Sequence, residues 1–401
     1  MTFLLLIYRS LRQHLLSTVV TAGSIALATG LLLTVWVVKT QSQELFAQTN
    51  SGFDAVLGAR GSPLQLVLNS IFHLEASPGN VSAEDLQFIT RHPLVKTAIP
   101  IAVGDNFKGW RIVGTVPELF QNIEYVPGKK YALAEGRLFE GTAKEAVVGS
   151  YAAAVLGVKL GDTFHPYHGL DLVANPDVHP DIFTVTGVLA PTNTPVDRVI
   201  WIPLAGIQTM AGHDPKHATE VSAVLLQLRS PMAGIILDQT YNKQGNRLTL
   251  AWPIGSIIAS LFGKIGWFDQ VLTLVAWLVA LVAAASVLAS IYNSMSARQR
   301  DIAILRALGA RRRFVFGAIV AEAGVIGLLG ALAGLLVYGV LVTGIAAVIR
   351  REAGVVLDPF VWQAVFLWAP GTLVGLCVLG GLIPAVKAYR VPVAETLAPV
   401  S

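Results

Sequence analysis

The stretch Ser296-Ala-Arg-Gln-Arg-Asp-Ile-Ala-Ile-Leu-Arg-Ala-Leu-Gly-Ala310, followed by Arg311-Arg-Arg313, separates two long apolar runs. It carries six arginines and one acid in 18 residues. Basic residues in a short loop beside a membrane-spanning helix mark the cytoplasmic side. The stretch therefore predicts that the two apolar runs beside it cross a membrane, and that the stretch itself lies on the cytoplasmic side.

Four apolar runs are long enough to span a bilayer. The chain is 54% hydrophobic and 13% charged, whereas soluble domains are about 25% charged. Apolar runs of about 18 residues or more predict transmembrane helices. We predict such helices at 15–38, 269–293, 314–349 and 361–386.

The distribution of Lys and Arg predicts the orientation of these helices. The basic segments share one side of the membrane, so we predict that both termini are cytoplasmic. The cytoplasmic segments are then 1–14, 294–313 and 387–401, and the segments on the outer side are 39–268 and 350–360.

The outer block 39–268 is long enough for a folded domain. It holds 17 Lys/Arg and 19 Asp/Glu, a charge of −2, while the rest of the chain holds 12 against 6, a charge of +6. The basic excess thus flanks the membrane, which argues against a nucleic-acid partner. We predict an α-helical membrane protein with four transmembrane helices and a large α+β extracytoplasmic domain between helices 1 and 2, with a sub-boundary near residue 141.

Local patterns in the outer block predict individual elements. Ser82 is an expected N-cap of a helix over 82–91, with Asp85 three positions on. The segments 110–116, 182–188 and 221–228 are rich in β-branched residues and predict strands. The segment 145–162 predicts a strand, a short helix and a turn, which its glycines separate.

Motifs for catalysis are absent from the sequence. It contains no G-x-x-x-x-G-K-[ST] phosphate loop, no G-x-S-x-G and no H-E-x-x-H. The single cysteine, Cys377, lies within a predicted membrane helix. We therefore expect a non-catalytic chain that does not hydrolyse ATP through a phosphate loop of its own.

Histidines in the outer block are the one signal for metal chemistry. His165, His168 and His179 are the candidate ligands, because imidazoles at short spacing bind zinc or copper. Further potential ligands nearby are Asp171, Asp181, His213 and His217. The alternative is a polar loop with solvated histidines, since prolines and glycines interrupt this region. A membrane-bound metal enzyme using His165 and His168 is a third, weaker interpretation.

The third apolar run carries a stripe of glycines and one acid. Gly327, Gly330 and Gly334 follow the spacing that lets membrane helices approach closely. The alternative is the general abundance of glycine in membrane helices. Glu322 is the acid in this run, and acids within membrane helices are often functional. The interpretation that we favour is a residue near the cytoplasmic headgroups that pairs with an arginine.

The basic loop also has the pattern of an amphipathic helix. Ile302, Leu305 and Leu308 form one apolar stripe, and Gly309 is an expected C-cap. The alternative, a connector needed only for topology, does not account for this apolar face. The pattern favours a helix parallel to the inner membrane surface.

The same loop resembles a known family. Arg300-Asp301-Ile302 and Leu305-Arg306-Ala307-Leu308-Gly309-Ala310, then Glu322 and the glycines after it, are similar to the FtsX-like, MacB-type permeases of ABC transporters. Two mild departures from the family pattern are Asp301 in place of Glu and Ala303 in place of Gly. The segments 147–162 and 384–390 also resemble parts of that family.

The resemblance implies a dimer of permeases in the bacterial inner membrane, surrounded by lipid and driven by separate cytoplasmic ATP-binding subunits. ATP would be bound by the partner subunit, and the chain itself would need no cofactor, with zinc the one exception considered. The helix over 294–313 would dock on the ATPase. Its docking residues would be Arg298, Arg300, Asp301, Ile302, Leu305, Arg306, Leu308 and Gly309.

Two classes of function remain open at this point. The first is export or extraction of a cargo such as a lipoprotein, peptide, amphiphile or metal-linked substrate. The second is a transmembrane signalling subunit that regulates a periplasmic enzyme without moving a substrate. A periplasmic adaptor or lipoprotein partner would indicate the first class, and an enzyme partner the second.

Overall fold

A computed structural model describes residues 3–13, 15–48, 51–170, 173–213, 218–297, 304, 306–307, 309–353, 356–358 and 360–389. The chain divides into two compact units. The helical unit comprises 1–41, 265–347 and 357–401, and the outer unit comprises 42–264 and 348–356.

Five helices account for the described part of the helical unit, and some of them extend beyond it. They are α1 (Phe3–Gln13), α2 (Leu15–Gln48), α9 (Ile254–Ala297), α10 (Arg312–Ala353) and α11 (Val365–Tyr389). Three segments are long and apolar enough to cross a membrane, namely Leu15–Ser42, Arg312–Arg351 and Val365–Lys387. They correspond to the first, third and fourth predicted spans.

The second predicted span, 269–293, lies within α9. The apolar stretch described there is Gln270–Ser286. Four transmembrane helices therefore stay a prediction, while three candidate spans and an α+β domain are what the described residues contain.

The outer unit combines one large sheet with short helices. The helices that precede α9 are α3 (Pro63–Ser70), α4 (Ala83–Thr90), α5 (Glu118–Asn122), α6 (Ser150–Leu156), α7 (Leu204–Gln208) and α8 (Pro231–Asp238). The strands are β1 (Ala55–Ala59), β2 (Val95–Phe107), β3 (Trp110–Thr115), β4 (Glu124–Val126), β5 (Lys129–Lys130), β6 (Leu133–Gly136), β7 (Glu145–Val148), β8 (Thr163–Phe164), β9 (Tyr167–His168), β10 (Phe183–Leu189), β11 (Ile200–Pro203), β12 (Ala223–Leu228) and β13 (Leu248–Ala251).

The large sheet is mixed and runs through the whole outer unit. Its order is β13-β1-β12-β2-β3-β11-β7-β10-β6, with β8 paired to β10 and β9 paired to β2. Most neighbours are antiparallel, but β3 with β11 and β7 with β10 are parallel. The predicted sub-boundary near residue 141 falls in the connection between β6 and β7, which belong to this one sheet.

Buried aromatic and branched side chains hold helices against this sheet. One cluster includes Trp201, Phe53 and Phe120, and a second includes Phe183 and Ile112. Each such side chain contributes roughly 1.5–3 kcal/mol when it leaves water. This apolar core thus stabilises the sheet without disulfides. The sheet in turn positions the polar residues of the candidate site.

One irregularity in β2 bears on the candidate site. The pairing of β2 with β3 shifts register between Val103 and Asp105, so Gly104 is the extra residue of a β-bulge. Bulges re-aim the side chains that follow them. Beyond the bulge β2 also pairs with the short strand β9, and this register places Asp105 opposite His168.

Candidate functional site

The centre of the candidate site is the carboxylate of Asp105. This side chain is fully buried, although it lies in a strand that is otherwise mainly apolar. Its Oδ1 atom lies 3.1 Å from His179 Nε2 and 3.2 Å from His213 Nε2. Its other oxygen, Oδ2, is buried and has no hydrogen-bond partner among the described residues. One buried carboxylate therefore faces two imidazoles and retains an unsatisfied oxygen.

Backbone carbonyls orient the imidazoles of His179 and His213. His179 Nδ1 donates to the carbonyl of Ala211 at 2.7 Å, and His213 Nδ1 donates to the carbonyl of Ile207 at 3.0 Å. A carbonyl oxygen only accepts, so each Nδ1 must carry a proton. Both Nε2 atoms point at Asp105.

His168 completes the cluster from the solvent side. Its Nδ1 lies 3.7 Å from Asp105 Oδ1, and its side chain is 54% exposed. The three imidazole rings contact one another edge-on, with centroid separations of 5.0 to 5.5 Å. The donor atoms of Asp105, His168, His179 and His213 all lie within 4.8 Å of one another.

Neighbouring segments hold these histidines in place. The backbone N–H of His179 donates to Pro166 and that of His168 to Asp177, so the two segments run side by side. Asp181 pairs with Lys144 and accepts the N–H of Ala211 at 2.8 Å. The hydrogen bond from Ala211 to Asp181 holds the loop at Ala211, and the carbonyl of Ala211 orients the His179 ring. Hydrogen bonds of this kind commonly orient histidines that bind metals.

Electrostatics in the cluster favour a cation. The hydrogen bond with Asp105 raises the pKa of His213, against the opposing effect of burial. A cleft of about 420 Å³ borders the cluster and is lined by His168, His213, Glu220 and Gln208, among others. The cluster is thus accessible from solvent on its His168 side.

The structure brings together two of the three histidines that the sequence singled out. His168 and His179 belong to the cluster, whereas His165 lies beside it, with Nδ1 3.2 Å from the backbone oxygen of His179. Asp105 was missed and His213 was not ranked among the ligands. A charged residue within an apolar strand was the available signal for Asp105. Asp171 and His217 lie outside the described residues.

Most of the predicted docking helix also lies outside the described residues. This applies to Arg298, Arg300, Asp301, Ile302, Leu305 and Leu308. Arg306 and Gly309 are described, and the Gly309 N–H donates to the Arg306 carbonyl at 3.1 Å. Gly309 has φ +97°, the left-handed conformation expected of a helix C-cap.

The glycines of α10 lie where helices approach closely. A Cβ atom on Gly330 would lie 2.6 Å from Ile25 Cβ, and one on Gly334 would lie 2.4 Å from Thr29 Cβ. Both contacts are with α2 of the same chain. A Cβ on Gly327 would lie 3.0 Å from Cys377 Cβ on α11. These three positions therefore set how closely α10 packs on two neighbouring helices.

Glu322 lies on the same helix, nearer its N-terminal end. It is buried, and its carboxylate accepts a hydrogen bond from the hydroxyl of Ser10 on α1. The contact joins α1 to α10 within the helical unit.

Comparisons with known proteins agree with the resemblance noted in the sequence. Residues 273–393 match the family model described as FtsX-like permease C-terminal. A sequence search of curated proteins returned no match.

Two solved structures are similar to the chain at low sequence identity. The extracellular domain of the noncanonic ABC-type transporter YknZ from Gram-positive bacteria aligns with a TM-score of 0.29 and 17% identity, covering 49% of this chain and 97% of that one. The periplasmic region of MacB from Actinobacillus actinomycetemcomitans aligns with a TM-score of 0.35 and 12% identity, covering 52% and 94%.

The family match begins within α9 and extends through the basic stretch, α10 and α11, so it includes the glycines that pack on α2 and α11. The resemblance to FtsX-like permeases is confirmed for this range. Over residues 273–393, the C-terminal part of this chain is therefore similar to the FtsX-like permease family.

Proposed function

We propose that the chain is the membrane-spanning subunit of an ABC transporter, and that ATP hydrolysis by a separate cytoplasmic subunit moves its outer domain. The observation that carries this proposal is the FtsX-like permease match over 273–393. The layout supports it, because the outer unit of 42–264 is inserted between a first apolar helix and the matched domain. Two copies of the chain would assemble with the ATPase subunits.

The basic stretch is the part of the matched domain suited to receive force from an ATPase. We place it on the cytoplasmic side, since its arginines and those flanking the other helices obey the positive-inside rule together. The apolar stripe of Ile302, Leu305 and Leu308 would enter a cleft on the ATPase. The arginines around it would meet acidic groups there.

In this proposal, the outer domain exports or extracts a periplasmic cargo. A lipoprotein, a peptide, an amphiphile or a metal-linked molecule fits a domain that lies outside the membrane and is moved from inside. Regulation of a periplasmic enzyme is the alternative, and it shares the same coupling step. Transport of a labelled cargo into or out of proteoliposomes separates the two.

Reconstitution tests the proposal as a whole. The full chain in nanodiscs, mixed with its ATP-binding subunit, is expected to form a stable complex and to stimulate ATP hydrolysis several-fold. The chain alone is expected to hydrolyse no ATP, because its sequence holds no phosphate loop. Hydrolysis by the chain alone, or an ATPase rate that the chain leaves unchanged, would contradict the proposal.

A further inference from the structure

We propose that Asp105, His168, His179 and His213 form a binding site for a divalent transition metal of the zinc class. The site lies in the outer unit, and it goes beyond the function proposed above. Its donor set is three imidazoles and one carboxylate, all within 4.8 Å of one another. These are ligand types that zinc takes in proteins.

The orientation of the His179 and His213 rings is the first argument for a metal. Because His179 Nδ1 and His213 Nδ1 each donate to a backbone carbonyl, a neutral ring presents a lone pair at Nε2. These Nε2 atoms lie 3.1 and 3.2 Å from the same carboxylate oxygen, Asp105 Oδ1. A cation lying among the three atoms would be bound by all of them.

Burial and close approach of the rings support a metal as well. The side chain of His179 is only 5% exposed, and the His179 and His213 rings have centroids 5.0 Å apart. A single divalent ion lying between them and the carboxylate would be bound by all three side chains at once.

The unsatisfied oxygen of Asp105 is the second, independent argument. Its Oδ2 atom is buried without a hydrogen-bond partner among the described residues. Leaving a buried charged acceptor unpaired destabilises a protein more than leaving a neutral one unpaired. A metal bound by this carboxylate would neutralise its charge.

The distances from Asp105 Oδ1 to the three imidazoles are close to the separation of ligand atoms in a tetrahedral zinc site. Ligand atoms about 2.0–2.1 Å from a tetrahedral zinc are separated by about 3.3 Å. From Asp105 Oδ1, the nearest imidazole nitrogens lie at 3.1, 3.2 and 3.7 Å. The carbonyl partners of His179 and His213 also supply the outer hydrogen bonds that orient ligating histidines.

The four proposed ligands differ in how far their side chains are exposed to solvent. Asp105 and His179 are buried and His213 is 19% exposed, whereas His168 is 54% exposed and borders the cleft. The metal would therefore enter and leave past His168.

Zinc titration of the full chain in detergent, after treatment with a chelator, tests the proposal. We expect one Zn²⁺ per chain. Asp105→Asn and His179→Ala are each expected to weaken zinc binding by more than about 100-fold. Substituting a residue that only hydrogen-bonds to a metal ligand typically weakens binding by about 10–100-fold. The matched control His165→Ala removes a nearby imidazole outside the cluster, and we expect its affinity within about threefold of wild type.

Three results would overturn the proposal: no binding of zinc at micromolar concentration, binding that His179→Ala leaves intact, or equal loss in His165→Ala. If a variant fails to fold, the absorption spectrum of Co²⁺ bound to the wild-type chain tests the site without any substitution. Bound Co²⁺ is expected to give the intense absorption of a tetrahedral site, and a weak octahedral spectrum would contradict the donor set.

Thermal unfolding gives a further readout of the same site. At zinc concentrations about 100-fold above Kd, we expect the outer unit to melt about 5 °C higher or more. His165→Ala should show the same shift and His179→Ala none. An unchanged melting temperature in the wild-type chain would contradict binding to the folded state.

Discussion

Replacing Leu305 with aspartate is expected to abolish the stimulation of the ATPase while leaving the chain in the membrane. Leu305 is the central residue of the predicted apolar stripe on the basic stretch, between Ile302 and Leu308. A carboxylate there would have to enter an apolar cleft, and burying an unpaired charge costs several kcal/mol. Each 1.4 kcal/mol weakens binding about tenfold, so the complex should not form at micromolar concentrations. Hydrolysis rate and co-purification in nanodiscs measure the effect.

Ala307→Asp is the matched control for this variant. It adds the same charge two positions along the chain, about 200° around a helix and away from the stripe. Ala307 is exposed in the structure. We expect stimulation close to wild type for Ala307→Asp. Full stimulation by Leu305→Asp, or equal loss in both variants, would contradict docking through this face.

Replacing Gly334 with valine is expected to disrupt the helical unit. The new Cβ would lie 2.4 Å from Thr29 Cβ and 3.0 Å from the carbonyl oxygen of Ala26, both on α2. Thr29 Cβ is the first atom of its side chain and the Ala26 oxygen belongs to the backbone. Rotation of a side chain therefore cannot relieve either contact. Overpacking costs typically 1–3 kcal/mol, and more where the backbone must move. We expect a lower yield of monodisperse protein in detergent and a lower melting temperature.

Gly339→Val provides the comparison on the same helix. Nothing lies within 4 Å of a Cβ added at Gly339. The two variants share the loss of glycine and the gain of a β-branched side chain, and they differ in the clash alone. We expect Gly339→Val to unfold within a few degrees of wild type. Similar losses in both variants would show that close approach of α10 to α2 is not what Gly334 provides.

Local sequence signals were sufficient for much of the outer unit. The predicted cap at Ser82 is confirmed, since its hydroxyl accepts the N–H of Asp85 at 3.1 Å and α4 begins at the next residue. The segment 145–162 folds as β7, α6 and a turn, with Gly157 and Gly161 at positive φ. Capping and turn geometry depend on neighbouring residues, so the sequence contains what is needed to predict them.

The ligand cluster depends on pairings that no local pattern encodes. Asp105 meets His168 because β9 pairs with the end of β2, beyond a bulge at Gly104. His213 arrives from the loop after α7, far along the chain from both. A shift of one residue in such a register turns a side chain to the opposite face of the sheet. Spacing alone grouped His165 with His168 and His179, whereas the sheet selects Asp105 and His213.

The helical unit shows a different limit. Three candidate spans follow from apolar length alone. The span predicted at 269–293 lies in α9, a helix of 44 residues that begins in the outer unit and continues into the helical unit. The apolar stretch described within it is Gln270–Ser286. Hydropathy finds apolar runs, but it does not locate where one long helix enters the bilayer.

The central claim is that ATP hydrolysis on a separate subunit moves the outer domain of this chain. Spin labels at Glu84→Cys, an exposed position on α4, would report the distance between two copies in a nanodisc complex. The account predicts that ATP shifts this distance distribution in the presence of the ATPase, and that Leu305→Asp removes the shift. An identical distribution with and without ATP, in a complex that hydrolyses it, would contradict the claim.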